Sequence, residues 1–268
     1  MSDNFDSNQN HYFFSKKNTT PLVFIHGVGL DHQMWQSQIS KLNEFSIITY
    51  DLLGHGKTPC KKEKLTLNDF SKQLDEILNN LQVDKVNLVG FSLGSLIALD
   101  FTSNYQDKVN KLILIGTTYK RSEAERALVL DRYNQAKLNK PISKQALKRW
   151  FSDNYLENNP STYDLFMKIL TKEPEDHKNF LKAYELFANH NDNSLIIKNI
   201  TSKTLVMTGS NDPGSTPKMS QELAKDLPNS IFIEIKNGKH LCSIELSLIH
   251  ISEPTRQEAI SYAVFCLK

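Results

Sequence analysis

Cysteine is scarce in this chain: Cys60, Cys242 and Cys266 are the whole set, at spacings that fit no metal site. So sparse and odd-numbered a set excludes a disulfide framework and reads as the reduced thiols of a cytoplasmic protein. Long apolar runs are missing as well. No stretch approaches the ~20 residues that a membrane-spanning helix needs, and the opening "MSDNFDSNQNHYFFSKKNTTP" is too polar for a signal peptide. Charge of one sign is not in excess either, because 32 Lys and Arg stand against 30 Asp and Glu, interspersed. Without a clustered basic stripe the chain has no footprint for nucleic acid, and nothing in it marks a membrane partner. Repeats and low-complexity linkers are absent. What remains is 268 residues, 39% hydrophobic and 23% charged, enough for a full core as one domain with an insertion or as two domains.

From Pro21 onward, short runs that are apolar throughout alternate with amphipathic ones. "PLVFIHG", "FSIITYD", "VNLVG" and "KLILIG" read as strands, while "LNDFSKQLDEILNNL" and "LGSLIALDFTSNY" read as helices. That alternation predicts an α/β protein with a mostly parallel, doubly wound sheet covered on both faces. After Gly116 only helical periodicity is left until "KTLVMTG", with Pro160 and Pro174 as punctuation, and a helix opened by Thr216 and Pro217 then leads to "SIFIEI". The expected division is a core of residues 1–118 and 191–245 and a helical cap of residues 119–190, inserted after the strand that ends near Gly116.

In "VGFSLGS", Gly90-Phe91-Ser92-Leu93-Gly94 fits G-x-S-x-G between an expected strand and an expected helix. The chemistry needs that context: a sharp turn lifts the serine clear of the sheet, and larger flanking residues would collide with the neighbouring strand and helix. By itself the pentapeptide is a moderately specific signal, and a Ser-Gly turn of no chemical consequence is its alternative. A nucleophilic serine also needs a base, and the base a carboxylate. Asp212 in "GSNDPG" and His240 in "NGKHLC" follow the next two expected strands, in the order Ser…Asp…His. Each alone reads as a turn aspartate or a loop histidine; together, at successive strand ends, they read as Ser92 nucleophile, His240 base and Asp212 orienter. Val28, after "FIHG", and Leu93, after the serine, would supply the two backbone N–H groups of an oxyanion hole. His26, His55 and Cys242 read as structural. Arg121, Arg126, Arg132 and Arg149 all fall in the cap, as solvated helix faces or as partners for an anionic substrate.

These motifs together resemble the α/β-hydrolases with a helical cap, over about residues 20–245. "HGVGLDHQMW", "GSNDPGSTPKMSQELA", "HLCSIE" and the cap's "RWF" are similar to 3-oxoadipate enol-lactonases. The resemblance implies hydrolysis of an enol-lactone that carries a carboxylate, without cofactor or metal, and Trp150 and Arg149 lining the pocket. The chain departs from that family at Lys203, where proline is usual, and after the histidine loop. There, residues 246–268 resemble a translated sequencing adapter: "LSLIHISEPTR", three residues in the place of a barcode, then "ISYAVFCLK". This stretch carries no functional reading, although its pattern permits a helix. The expectation is a serine hydrolase acting on a small-molecule ester or lactone through an acyl-enzyme. Its rivals are a general carboxylesterase, a carbon–carbon bond hydrolase or a perhydrolase on the same triad, and a non-catalytic ligand-binding protein on the same fold. The oligomeric state has no signature in the sequence.

Overall fold

A computed structural model describes residues 4–138, 143–191 and 197–249. Cys266 and the adapter-like stretch from residue 250 onward lie outside the described residues. The elements run β1 (Asn4–Phe5), β2 (His11–Ser15), β3 (Leu22–Ile25), a 3-10 turn (His32–Trp35), α1 (Gln36–Ile39), β4 (Ile47–Tyr50), α2 (Leu67–Asn80), β5 (Val86–Phe91), α3 (Leu93–Asn104) and β6 (Val109–Ile115). Five helices follow: α4 (Glu123–Lys137), α5 (Ser143–Trp150), α6 (Asp153–Asn158), α7 (Pro160–Leu170) and α8 (Pro174–Asn189). The chain then returns to β7 (Lys203–Gly209), α9 (Pro217–Asp226), β8 (Ser230–Ile235) and α10 (Cys242–Ile249). Helix α10 crosses from Glu245 into the first residues of the adapter-like stretch.

The eight strands form one sheet in the order β1-β2-β4-β3-β5-β6-β7-β8. From β4 to β8 every pair is parallel, and β1 and β2 add an antiparallel edge. Alternation along the central strands shows why both faces are covered. Val23, Ile25, Leu88, Leu112, Leu114 and Val206 pack into one core with α2 and α3. Their neighbours Leu22, Phe24, Val89, Ile113, Leu205 and Met207 pack into a second core, on the opposite face, with Trp35 and the cap residues Leu147, Phe151 and Phe166. The apolar strand runs in the sequence are thus sheet interior, and the helical insertion sits between β6 and β7 as its periodicity predicts.

Parallel pairing has one consequence for function: the carboxyl ends of β3, β5, β6, β7 and β8 open on the same edge. Ile25 pairs with Gly90, Phe91 with Ile115, Ile115 with Met207, and Gly209 with Ile235. Loops leaving those positions meet in the crevice beyond the strand ends, where ligands bind in open α/β sheets.

A polar knot fixes the edge nearest β2. The buried Asp51 carboxylate accepts from His11 Nδ1 and His32 Nδ1, both at 2.7 Å, and from the backbone N–H groups of His32 and Lys57. Gly56, at φ +52°, leaves the carboxylate its room, since a Cβ there would lie 2.2 Å from Oδ2. Burial pushes the Asp51 carboxyl up, but the histidine hydrogen bonds more than offset this and hold it far below the usual carboxylate range. Stabilisation by a depressed carboxylate is complete above the unfolded value of ~4 and is withdrawn as pH falls below it. Asp51→Asn is therefore expected to cost about 3–5 kcal/mol at pH 7, as for a broken buried pair. Urea titrations should show the gap between variant and parent narrowing as pH drops from ~4 to ~2.

Candidate active site

Ser92 is the single residue between β5 and α3, and it turns the chain from one into the other with φ 54° and ψ −115°. Such a backbone is strained for a residue with a side chain and persists only where the surroundings enforce it. Here they do. Ser92 N–H donates to Ile115 O at 2.9 Å, and the buried Ser95 hydroxyl donates to Gly90 O at 2.7 Å. The flanking glycines admit no substitute: a Cβ on Gly90 would lie 2.4 Å from Gly94 O, and one on Gly94 would lie 2.2 Å from Ile25 O. The N-terminus of α3, with its partial positive charge, is thereby aimed at the space above the sheet edge.

Asp212 and His240 arrive from the ends of β7 and β8. Asp212 Oδ2 lies 2.6 Å from His240 Nδ1, while Oδ1 accepts from the N–H groups of Gly214 and Ser215 at 2.8 and 2.9 Å. With three hydrogen-bond partners and no side-chain exposure, the carboxylate is fixed in place facing the ring. The imidazole retains 12% exposure and packs on Phe91, with ring centroids 4.8 Å apart. Gly116, at φ +58°, borders the same ring, since a Cβ there would meet His240 Cε1 at 3.1 Å. Ser92, Asp212 and His240 line one cavity of about 180 Å³ together with Val28, Arg149 and Trp150.

The loop after β3 is shaped by two buried histidines. His26 donates through Nδ1 to Gly27 O at 2.8 Å and accepts at Nε2 from Leu52 N–H. His55 donates through Nδ1 to Leu53 O and accepts at Nε2 from Gly29 N–H at 3.0 Å. Accepting nitrogens require neutral rings, and burial lowers both pKa values accordingly. This lattice leaves the N–H groups of Val28, which lines the cavity with Ser92, and of Leu93, the next residue after Ser92, without a protein acceptor among the described residues. The Thr118 hydroxyl, buried in the same cavity, also lacks a hydrogen-bond partner among the described residues.

The four cap arginines divide. Arg121 and Arg126 donate to the carbonyls of Phe187 and His190 and close the end of α8. Arg132 and Arg149 line the cavity instead; burial first, then the neighbouring Arg132, lowers the pKa of Arg149. Cys242 is fully buried, which pushes its thiol well above the ordinary range and keeps it out of nucleophilic chemistry. Among the described residues, the cluster with metal-ligating capacity is His11, His32 and Asp51, whose carboxylate is already committed and which does not border this cavity.

One residue carries no signal in the sequence reading. Glu245, buried at 3% exposure, accepts from Ser152 N–H through one oxygen and from Lys239 N–H through the other at 3.1 Å. Beside it, Leu241 N–H donates to Trp150 O at 2.9 Å, and Lys239 Nζ to Lys148 O at 2.8 Å. Both neighbours of His240 are thus tied to the end of α5.

The chain matches the profile of the alpha/beta hydrolase fold over residues 20–245. It is similar to the (E)-2-((N-methylformamido)methylene)succinate hydrolase of Acinetobacter baylyi, at 29% identity over 89% of this chain and 90% of that one. It is similar to 3-oxoadipate enol-lactonase 2 of the same organism, at 23% over 88% and 87%. Among solved structures, the enol-lactonase of Burkholderia xenovorans LB400 superposes with a TM-score of 0.82 at 21% identity, covering 97% of each chain. A thermophilic esterase of Thermogutta terrifontis superposes at 0.80 and 24%, over 98% of this chain and 96% of that one. No helix among the described residues is long and apolar enough to cross a membrane.

Glu245→Ala would orphan two part-buried donors, at ~1–3 kcal/mol each. Urea unfolding should therefore show a loss of about 2–5 kcal/mol, against less than ~0.5 kcal/mol for an exposed control such as Glu123→Ala.

Proposed function

The chain belongs to the alpha/beta hydrolase fold family and is a hydrolase, and from that premise we propose a serine mechanism on a small ester or lactone. The observation that carries the reading is the 2.6 Å pair of His240 and Asp212 in one cavity with a serine held at φ 54°. Ser92 Oγ attacks the carbonyl carbon while His240 Nε2 takes its proton. Asp212 holds the imidazolium that results. The N–H groups of Val28 and Leu93 stabilise the oxyanion, a contribution of about 10²–10³ in rate for each donor. Collapse breaks the carbon–oxygen bond, and His240 returns the proton to the leaving oxygen. Water then attacks the acyl-enzyme with His240 as base, releasing the acid and restoring Ser92. In a lactone the leaving oxygen stays tethered until that second step.

The helices between β6 and β7 act as the cap that selects substrate, with Arg149 and Trp150 over the cavity. The two relatives are named for a substituted succinate and for 3-oxoadipate enol-lactone. Together with the two cavity arginines, this favours a substrate that bears a carboxylate, 3-oxoadipate enol-lactone among them. A neutral ester would leave Arg132 and Arg149 adjacent and uncompensated, which argues against a general carboxylesterase.

A fluorophosphonate should add once to the purified chain and not to Ser92→Ala, read by intact mass. His240→Ala should lower turnover of the best substrate in a lactone and ester panel by about four orders of magnitude or more. A folded chain that takes no adduct would overturn the serine mechanism.

A further inference from the structure

A second cavity, of about 690 Å³, lies beneath the cap and has no part in the mechanism above. Val28, Arg149, Trp150 and Tyr184 line both it and the Ser92 cavity, so the two meet at that wall. Its size is that of a small-molecule site, roughly 300–1,000 Å³. Its charged lining is of one sign: Lys144, Arg149 and Lys172 border it, and among the described residues neither an aspartate nor a glutamate does. In a chain with 32 basic and 30 acidic residues, such segregation is a property of the place and not of the composition.

Lys172 sets the character of the chamber. It is half-buried just beyond the end of α7, where Nζ donates to Ile169 O at 3.2 Å and lies 5.8 Å from the centroid of the Phe180 ring. No carboxylate among the described residues pairs with it; Asp31, Asp51 and Asp176 act on it only through space. Burial accordingly lowers the pKa of the amine. An ammonium withdrawn from water without a counter-ion is costly, and a bound anion removes that cost. At the wall shared with the Ser92 cavity Arg149 is likewise without an ion-pair partner among the described residues, and Arg132 is its charged neighbour.

We infer that this chamber is a second substrate subsite of the same active centre, taking a carboxylate on the arm distal to the carbonyl that Ser92 attacks, with Lys172 as its specificity-determining residue. The inference rests on the serine mechanism for the reaction, though not for the binding. A merely structural Lys172, holding the end of α7, would act equally on every substrate. A pairing Lys172 acts on the charged one alone.

The test uses two 4-nitrophenyl esters of adipic acid that differ only at the far end, one a free carboxylate and the other its methyl ester. The native chain should prefer the carboxylate in kcat/KM. Lys172→Met should lose about tenfold to a hundredfold on the carboxylate ester, the value of one charge-assisted hydrogen bond, chiefly through KM. It should stay within about threefold on the methyl ester, and Lys172→Arg should recover most of the loss. Equal losses on both esters, or a carboxylate preference that survives in Lys172→Met, would overturn the subsite. Should the native chain cleave neither ester, calorimetric titration with adipate separates the two claims. Binding that weakens in Lys172→Met keeps the subsite while the serine mechanism falls, and binding that is absent or unchanged in the variant removes the subsite too.

Discussion

A serine hydroxyl stands free above a buried sheet only if the chain passes from strand to helix within a single residue, and that requirement governs this structure. Ser92 makes the passage at a positive φ, and its cost is met by crowding on every side. Gly90 and Gly94 bring α3 so close to β5 and β3 that no Cβ fits between them. Ile115 O and the Ser95 hydroxyl then lock the turn to the neighbouring strand. Because β3, β5, β6, β7 and β8 run parallel, the same edge receives the loops that carry Val28, Asp212 and His240. The proposed chemistry therefore follows from sheet register and close helix packing, with no long-range reach by any side chain.

Electrostatics divides the site into a neutral scaffold and charged actors. His26 and His55 are fully buried and neutral, and each joins the loop that carries Val28 to the loop after β4 through one backbone hydrogen bond to each. Asp51 is ionised, but four donors satisfy it away from the cavity. The cavity keeps the charges with work left to do: Asp212 against His240 on the core side, and Arg132 and Arg149 on the cap side. Such an arrangement has a cationic roof over an anionic floor, and under the proposed function it would orient a substrate with one charged end before the covalent step.

The sequence disclosed what depends on local pattern. Ser92, Asp212 and His240 each follow an apolar run, and in a parallel sheet the end of such a run fixes where the next residues emerge. The capping pair Thr216 and Pro217 marked the start of α9 for the same reason, since Thr216 accepts from Met219 N–H. Features with distant partners stayed hidden. Strands β1 and β2 sit in polar stretches of the sequence, and β2 joins the sheet through β4, which follows β3 in the chain. Helix α6 is too short for periodicity to register. Arg126 and Arg132 lie on one helix and differ only in the face they occupy, so one closes α8 while the other meets the cavity. Glu245 reads as one more charged helix residue because Ser152, its partner, is 93 positions earlier.

That last contact bears on how such an enzyme can change. Among the described residues, the hydrogen-bonding groups that the cap offers to the histidine loop are backbone: the carbonyls of Lys148 and Trp150 and the amide of Ser152. Lys239, Leu241 and Glu245 on the core side supply the complementary atoms. Cap side chains outside the core shared with Leu241 and Cys242 are thus free to drift toward new substrates, provided that α5 ends in the same place. Lineages that lengthen or shorten the connection between α5 and α6 would disturb the imidazole first, and the binding surface only afterwards. Variation in this architecture should then accumulate as substitutions within the cap helices, while the length of that one junction stays constant.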